Sequence, residues 1–132
     1  MASAIDTALS GFNAATQRLN VSANNVANAT STRTRNADGS TSNKPYVPLQ
    51  LEQSTQANGG VTTHMAPISQ SSLPFYDPTN VTVDANGITQ YPNVDVAQQL
   101  VQTQLSSYDA QGNLSVMKAQ KNVFNSLINI IS

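Results

Sequence analysis

The feature that most limits how this chain can fold is a long apolar stripe in its last third. Between Val94 and Ile130, apolar or small residues recur in ten steps that average about 3.6 residues, the period of an α-helix. Pro92 ends the preceding segment and Asn93 is a favourable N-cap, so the sequence predicts one helix over 93–131. Such a helix would be roughly 57 Å long. The stripe consists of Val94, Ala97, Val101, Leu105, Tyr108, Gly112, Val116, Ala119, Val123, Leu127 and Ile130.

The first 29 residues carry a second apolar stripe, with a different period. Ser3 and Asp6 have the spacing of a capping box, and Gly11 is the only glycine or proline that interrupts the segment. Apolar or small residues recur in alternating steps of four and three, which is the heptad pattern of a coiled-coil-like helix. A helix over 3–29, about 40 Å long, is therefore predicted. Its stripe consists of Ile5, Leu9, Phe12, Thr16, Leu19, Ala23 and Val26.

The segment between the two helices differs in composition. Residues 30–45 contain no apolar side chain larger than Ala37, so we expect an exposed loop there. Over 46–91 the apolar period changes to two, which is typical of β-strands. The expected fold is mainly α with a small β insert: long N- and C-terminal helices pack as a coiled-coil-like pair, with a β-hairpin unit between them.

Two hairpins are predicted within the β unit. The first covers 46–66 and turns at Asn58-Gly59-Gly60. The second pairs 81–83 with 88–90 through the turn Asp84-Ala85-Asn86-Gly87. Residues 73–78 contain two prolines and are expected to form a stiff connection rather than a strand.

Composition excludes several classes of function. The chain has 6 basic and 7 acidic residues in 132, so no basic patch for nucleic acid can form. Neither a cleavable signal nor an apolar run long enough to cross a membrane is recognisable. The chain has no cysteine, and His64 is its only histidine, so we expect no metal, no cofactor and no small-molecule substrate. Asp77 and Asp84 are expected to bond turn backbone rather than to act in catalysis, and an enzyme is not expected.

The apolar stripes indicate association. A stripe of about ten helical turns exceeds what a shorter helix and two hairpins can cover, so part of it is expected to contact another subunit. A ladder of amides lies beside the first stripe, and it is either a solvated face or a register-fixing contact between packed helices. The ladder consists of Asn13, Gln17, Asn20, Asn24 and Asn28.

Specific residues resemble a known family. The run Gln17-Arg18-Leu19-Asn20-Val21-Ser22-Ala23-Asn24-Asn25-Val26-Ala27-Asn28-Ala29-Thr30 resembles the N-terminal signature of flagellar rod, hook and hook-associated proteins. Tyr91-Pro92-Asn93-Val94-Asp95-Val96 resembles the start of the C-terminal helix in proximal rod proteins of the FlgC type. Lys44-Pro45-Tyr46 and the 84–87 turn match more weakly. The resemblance covers the whole chain in order.

Two elements depart from the family pattern. Thr30 is followed by Ser31-Thr32-Arg33 instead of a Gly-Tyr-Lys-like element, and Ser106 to Gln111 lacks the Arg and Asn of a common rod element. These departures leave open whether the chain is a main rod subunit or a divergent paralogue.

The resemblance implies a structural subunit of the bacterial flagellar basal-body rod. Such a subunit would lie in the periplasm, would be exported without a cleaved signal peptide, and would contact copies of itself and other rod proteins. The alternative is a soluble helical adaptor or antigen of the same fold that stays monomeric or forms a small oligomer. The assembly interface is predicted to comprise Ile5, Leu9, Phe12, Leu19, Asn24, Asn25, Val26, Asn28, Val101, Leu105, Tyr108, Val116, Val123, Leu127 and Ile130.

Overall fold

A computed structural model describes residues 4–35 and 38–131, with the side chain of residue 131 left out. Two long helices flank three separate antiparallel hairpins, which confirms the expected fold class. Ser3 of the predicted capping box lies outside the described residues. In chain order the elements are α1 (Ala4–Ala27), β1 (Thr34–Arg35), β2 (Thr41–Ser42), β3 (Leu49–Thr55), β4 (Val61–Pro67), β5 (Ser72–Tyr76), β6 (Ile88–Pro92) and α2 (Val96–Ile131).

Helices α1 and α2 pack side by side and antiparallel. Gly11 lies against Asn113, and Asn25 near the end of α1 reaches Gln99 near the start of α2. The surface of α1 that meets α2 is not the predicted apolar heptad. Small and polar residues with the same 3-4 spacing form it instead, because only small side chains let two helix backbones approach closely. On α1 this seam consists of Ala8, Gly11, Ala15, Arg18, Ser22 and Asn25.

The matching face of α2 is also polar. Ser106 is fully buried, and the other covered positions of the helix are mainly amides, hydroxyls and small residues. The half-buried positions of α2 up to residue 120 are Gln99, Gln102, Thr103, Ser107, Ala110, Asn113, Met117 and Gln120. Among the described residues, the buried apolar side chains are Ala8, Ala14, Ala15 and Val21, together with Pro48 and Pro92, so the chain's own apolar core is very small.

Strands β3 and β4 form the first predicted hairpin, which is called the ribbon below. The ribbon packs on α1. Ser10 Oγ accepts a hydrogen bond from the Val61 amide at 3.1 Å. Gln17 Oε1 accepts one from the Thr63 hydroxyl at 2.6 Å. These side chains lie along one line of α1, so the ribbon runs beside the helix over about two turns.

The second hairpin differs from the prediction. Strand β6 pairs with β5, not with residues 81–83, and the proposed stiff connection at 73–78 contains most of that strand. The Asp77 amide donates to Gly87 O and the Asn93 amide donates to Ser71 O. Because hydrogen-bonded and non-hydrogen-bonded pairs alternate along an antiparallel ladder, the pair of Pro74 with Gln90 is a non-hydrogen-bonded one. Pro74 therefore lies at an outward-facing position, where its missing N–H costs no ladder bond.

Residues 81–83 are held in an irregular loop by Asn80. Its Oδ1 accepts bonds from the amide and hydroxyl of Thr82 at 3.1 and 2.9 Å, and from the Thr32 hydroxyl at 3.3 Å. This local side-chain bonding competes with strand pairing and replaces it. The turn itself is as expected, because Asp84 Oδ1 accepts the amides of Asn86 and Ile88.

The predicted loop over 30–45 is mostly exposed and contains the two-residue strands β1 and β2. Its start is anchored, because Thr32 is buried and Ser31 O accepts the Tyr46 amide at 2.9 Å. The tip of the loop, with Ala37, lies partly outside the described residues.

Candidate assembly surfaces

The predicted apolar stripe of α2 lies on the surface of the subunit. All seven of its large side chains in the predicted interface are exposed, with fractions from 48% at Val116 to 80% at Ile130. Among the described elements, no strand packs against α2, so the β unit leaves this stripe uncovered. The seven are Val101, Leu105, Tyr108, Val116, Val123, Leu127 and Ile130.

The predicted stripe of α1 is only partly covered. Ile5 and Leu9 are 37% and 45% exposed, whereas Phe12, Leu19 and Val26 are half-buried along the flank of the helix pair. This stripe is narrower and less exposed than that of α2. Together the two stripes contain most of the large apolar side chains on the helices.

The two stripes lie on opposite sides of the helix pair. Each residue advances an α-helix by about 100°, so the order of side chains along α1 gives their order around it. Ser10 and Gln17 contact the ribbon. Gly11 and Arg18, one residue further along, contact α2. Phe12, which belongs to the stripe, lies one more residue, or about 100°, further around the helix. The stripe of α1 thus lies across the seam from the ribbon.

On α2 the order is reversed. Leu105 precedes Ser106 of the seam, so its stripe lies about 100° before the seam. In an antiparallel pair, positions preceding the seam on both helices share one side. Gln98 occupies such a position and lines a cleft with Leu49 and Leu51 of the ribbon, which agrees with this geometry. The α2 stripe therefore lies on the ribbon side, and the α1 stripe on the other.

Asn25 of the Asn-rich signature is an internal residue. It is 2% exposed, and its Oδ1 accepts bonds from the Tyr46 hydroxyl and the Leu49 amide at 3.0 and 3.1 Å. Its Nδ2 donates to Leu49 O at 2.8 Å and to Gln99 Oε1 at 3.2 Å. All four hydrogen-bonding positions of the amide are used, and they join α1, β3 and α2. Asn25 is thus not available to a neighbouring subunit, and we remove it from the proposed interface.

The other signature amides bond to their own helix. Asn24 Nδ2 donates to Asn20 O at 2.8 Å, and Asn28 Nδ2 donates to Asn24 O at 2.9 Å. Asn24 is exposed and Asn28 half-buried, so the structure brings neither into contact with α2. Asn28 Oδ1 accepts a bond from the Ser31 hydroxyl at 3.3 Å, and both residues stay within the proposed interface.

Polar contacts fix the axial register of the helix pair. Arg18 Nη1 donates to Asp109 Oδ2 at 3.0 Å, and its second nitrogen donates to Gln53 Oε1. A Cβ added at Gly11 would lie 2.7 Å from Asn113 Oδ1. Sequence reasoning missed this seam, although Ala8, Ala15 and Ser22 share a seven-residue spacing that could have revealed it. The prediction named the larger apolar side chains of the neighbouring heptad and did not identify the face that meets α2.

The β5–β6 hairpin carries a small polar and aromatic network. Asp77 Oδ2 accepts the Tyr91 hydroxyl at 2.7 Å, and Phe75 packs edge-on to Tyr91 with ring centroids 6.0 Å apart. The bond from Tyr91, with those from Thr79 and Asn80, lowers the pKa of the Asp77 carboxyl. The same carboxylate raises the pKa of Tyr91. These shifts come from a structural network that orders the loop 77–87.

Side chains that could bind a metal ion are scattered over the described part of the chain. Within residues 4–35 and 38–131, no three His, Cys, Asp or Glu side chains are grouped so as to hold a metal ion. His64 is an exposed residue of β4 opposite Glu52. No described helix is both long and apolar enough to cross a membrane.

This geometry is that of a structural protein: an α-helical hairpin that carries three β-hairpins and has apolar surfaces on opposite sides of the helix pair. Residues 5–33 match the family described as flagella basal body rod protein. The chain is 37% identical over 122 residues to the flagellar basal-body rod protein FlgC of Salmonella typhimurium, covering 89% of this chain and 88% of that protein. It is 36% identical over 124 residues to FlgC of Escherichia coli O157:H7, with the same coverage. FlgC of Bacillus subtilis is 25% identical over 138 residues, covering 89% of each chain. The chain belongs to the FlgC-like flagellar basal-body rod protein family, as its signature residues predicted.

Proposed function

We propose that this chain is a structural subunit of the flagellar rod that joins its neighbours through the apolar stripes of both terminal helices. One observation carries the proposal: large apolar side chains lie outside the helix pair, while small and polar ones fill its seam. A monomer that needed no partner would be expected to bury these large residues first.

The placement of the stripes on opposite sides supports open polymerisation. A twofold dimer uses the same patch on both subunits. Two different patches on opposite sides allow one subunit's α1 stripe to meet the next subunit's α2 stripe, and this contact can repeat. Repetition of such a contact builds rings or helical filaments, which is the kind of assembly that a rod requires.

The partners follow from the family. We propose copies of this chain and other rod proteins as the neighbours, with the assembled subunit in the periplasmic part of the basal body. Export without a cleaved signal peptide is part of the same proposal.

The proposal is tested by placing a charge on the α2 stripe. Val116→Asp should abolish association, because a carboxylate buried between subunits is strongly unfavourable. Since Val116 is 48% exposed in the single chain, helicity at low concentration should stay at its wild-type level. Sedimentation velocity over a concentration series measures association, and circular dichroism measures helicity.

Gln104→Asp is the matched control. It introduces the same charge at an exposed position of α2 that is not in the stripe. Association that is equally weak in both variants would indicate a general charge effect. Wild-type association of Val116→Asp would exclude the α2 stripe as an interface.

The alternative is a monomeric adaptor or antigen with the same fold. The helix pair does close within one chain, which this alternative requires. A monomeric mass at every concentration, together with normal motility of cells that lack the gene, would favour it.

A further inference from the structure

A groove without charged side chains runs between α1 and the β3–β4 ribbon. Its volume is about 370 Å³. One wall is formed by amides of α1, and the other by apolar groups at the edge of the ribbon, where Met65 is 51% exposed. The lining residues are Gln17, Asn20, Val21, Asn24, Tyr46, Leu49 and Met65.

The last three turns of α2 extend beyond the described part of α1. Gly11 lies level with Asn113 and Asn25 with Gln99, so Ala4 lies level with Gln120. Residues 121–130 are all exposed. Val123, Phe124 and Leu127 are 52%, 59% and 52% exposed.

This end of α2 has two kinds of surface and carries no charged side chain after Lys121. Val123, Phe124 and Leu127 share one face, since they are separated by one, three and four positions. Asn122, Asn125 and Asn129 are separated by three, four and seven positions and share another face. The end of α2 therefore combines an amide face with an apolar face, and the groove combines an amide wall with an apolar wall.

We propose that the groove receives the end of α2 from a second copy of this chain, with Phe124 and Leu127 against Met65 and the asparagines against the amides of α1. The proposal rests on the proposed assembly function. It assigns the part of the α2 stripe beyond Lys121 to this groove and leaves the part from Val101 to Val116 to the α1 stripe of a neighbour. Uncharged surfaces on both partners avoid the cost of burying an unpaired charge. The matching amides can satisfy one another's hydrogen bonds in a dry contact.

The contact must form between copies. Gln17–Asn24 lie level with approximately residues 100–107 of α2, and the end of α2 begins at least about 20 Å further along the axis at 1.5 Å per residue. A continuous helix cannot fold back over that distance. Because groove and helix end lie at opposite ends of the pair, the contact joins subunits head to tail.

The sharpest test uses cysteine cross-linking, since the chain has no cysteine of its own. Full-length Met65→Cys and Leu127→Cys chains are mixed and mildly oxidised, and the disulfide-linked heterodimer is quantified. We expect the heterodimer to be the main cross-linked product. The control pair is Thr62→Cys with Leu127→Cys, because Thr62 points to the other face of the ribbon from Met65. Equal cross-linking of the two pairs would overturn the proposal.

Charge exchange gives an independent test that separates this proposal from the assembly function. Met65→Asp and Leu127→Lys should each weaken association by about tenfold or more, and mixing the two variants should restore it at low salt. If Met65→Asp associates normally while Val116→Asp does not, the groove proposal is wrong and assembly through the stripes stands. If mixing restores nothing, the two residues are not in contact and the proposal is also wrong.

Discussion

At the scale of single residues, two positions of α1 have roles that depend on what lies opposite them. Gly11 allows Asn113 to approach the helix backbone, and Asn25 joins three elements through its amide. On an isolated helix, Gly11 would only cost about 1 kcal/mol relative to alanine. The burial of the Asn25 amide likewise cannot be foreseen from the helix alone.

Gly11→Ala is expected to destabilise the chain by up to about 2 kcal/mol, because the overpacking of the added Cβ against Asn113 exceeds the gain of about 1 kcal/mol in helix propensity. Gly112→Ala is the matched control: it has no neighbour within 4 Å, so helix propensity should make it stabilising by about 1 kcal/mol. Urea unfolding followed by circular dichroism measures both. Stabilisation by both alanines would show that the helices do not approach at Gly11.

Asn25→Ala is expected to cost about 2–4 kcal/mol, because it leaves the Leu49 amide and carbonyl and the Tyr46 hydroxyl without their partner. Asn24→Ala removes an exposed bond within the helix and should change the free energy of unfolding by less than about 0.5 kcal/mol. Amide hydrogen exchange at Leu49 should accelerate in the first variant alone. Equal effects of the two variants would contradict an internal role for Asn25.

At the scale of elements, the hairpins are fixed by contacts with other parts of the chain. Strand β5 pairs with β6 because the Asn80 and Asp77 bonds fold the intervening segment into a loop, which removes 81–83 from competition. The first hairpin was predicted correctly because a glycine-containing turn and alternating residues define it locally.

Removal of the β1–β2 hairpin should be tolerated. Thr34 pairs with Ser42, so the ends of 34–42 are close together and a short Gly-Ser linker can join them at little entropic cost. A deletion that also removes 31–33 should be destabilising, because it takes away the Thr32–Asn80 and Ser31–Tyr46 bonds. Thermal melting of the two deletions gives the comparison. Equal melting temperatures would show that the start of this loop is not an anchor.

At the scale of the whole molecule, the subunit is stabilised little by itself. In the described part, its buried apolar residues are three alanines, one valine and two prolines, while the α2 stripe is exposed and the α1 stripe only partly covered. Hydrophobic stabilisation scales with apolar area removed from water, so under the proposed assembly the larger share of it would be gained when subunits meet.

We therefore expect the helicity of the full chain to rise with protein concentration. In dilute solution the end of α2 should fray, because three exposed turns lack the packing that stabilises helices in proteins. Circular dichroism and hydrogen exchange over a concentration series measure the change. A fully helical monomer whose signal is independent of concentration would contradict this expectation and favour the adaptor.

Sequence by itself determined the two helices, the first hairpin, the 84–87 turn and the family. These features depend on local signals: hydrophobic period, glycine turns and a run of asparagines. The predicted N-cap was wrong, because α2 begins at Val96 and it is Asp95, not Asn93, whose Oδ1 accepts the Gln98 amide at 3.0 Å. Tertiary structure alone decided which helix faces meet, which strand pairs with β6, and whether Asn25 or Asn24 is buried. The period of apolar residues along the sequence shows that one face of a helix is apolar, but it does not show what covers that face. Here the helices pack through the small residues Ala8, Gly11 and Ala15, because their size permits close approach. Large side chains such as Leu105 and Val116 are thereby left exposed on the surface of the helix pair.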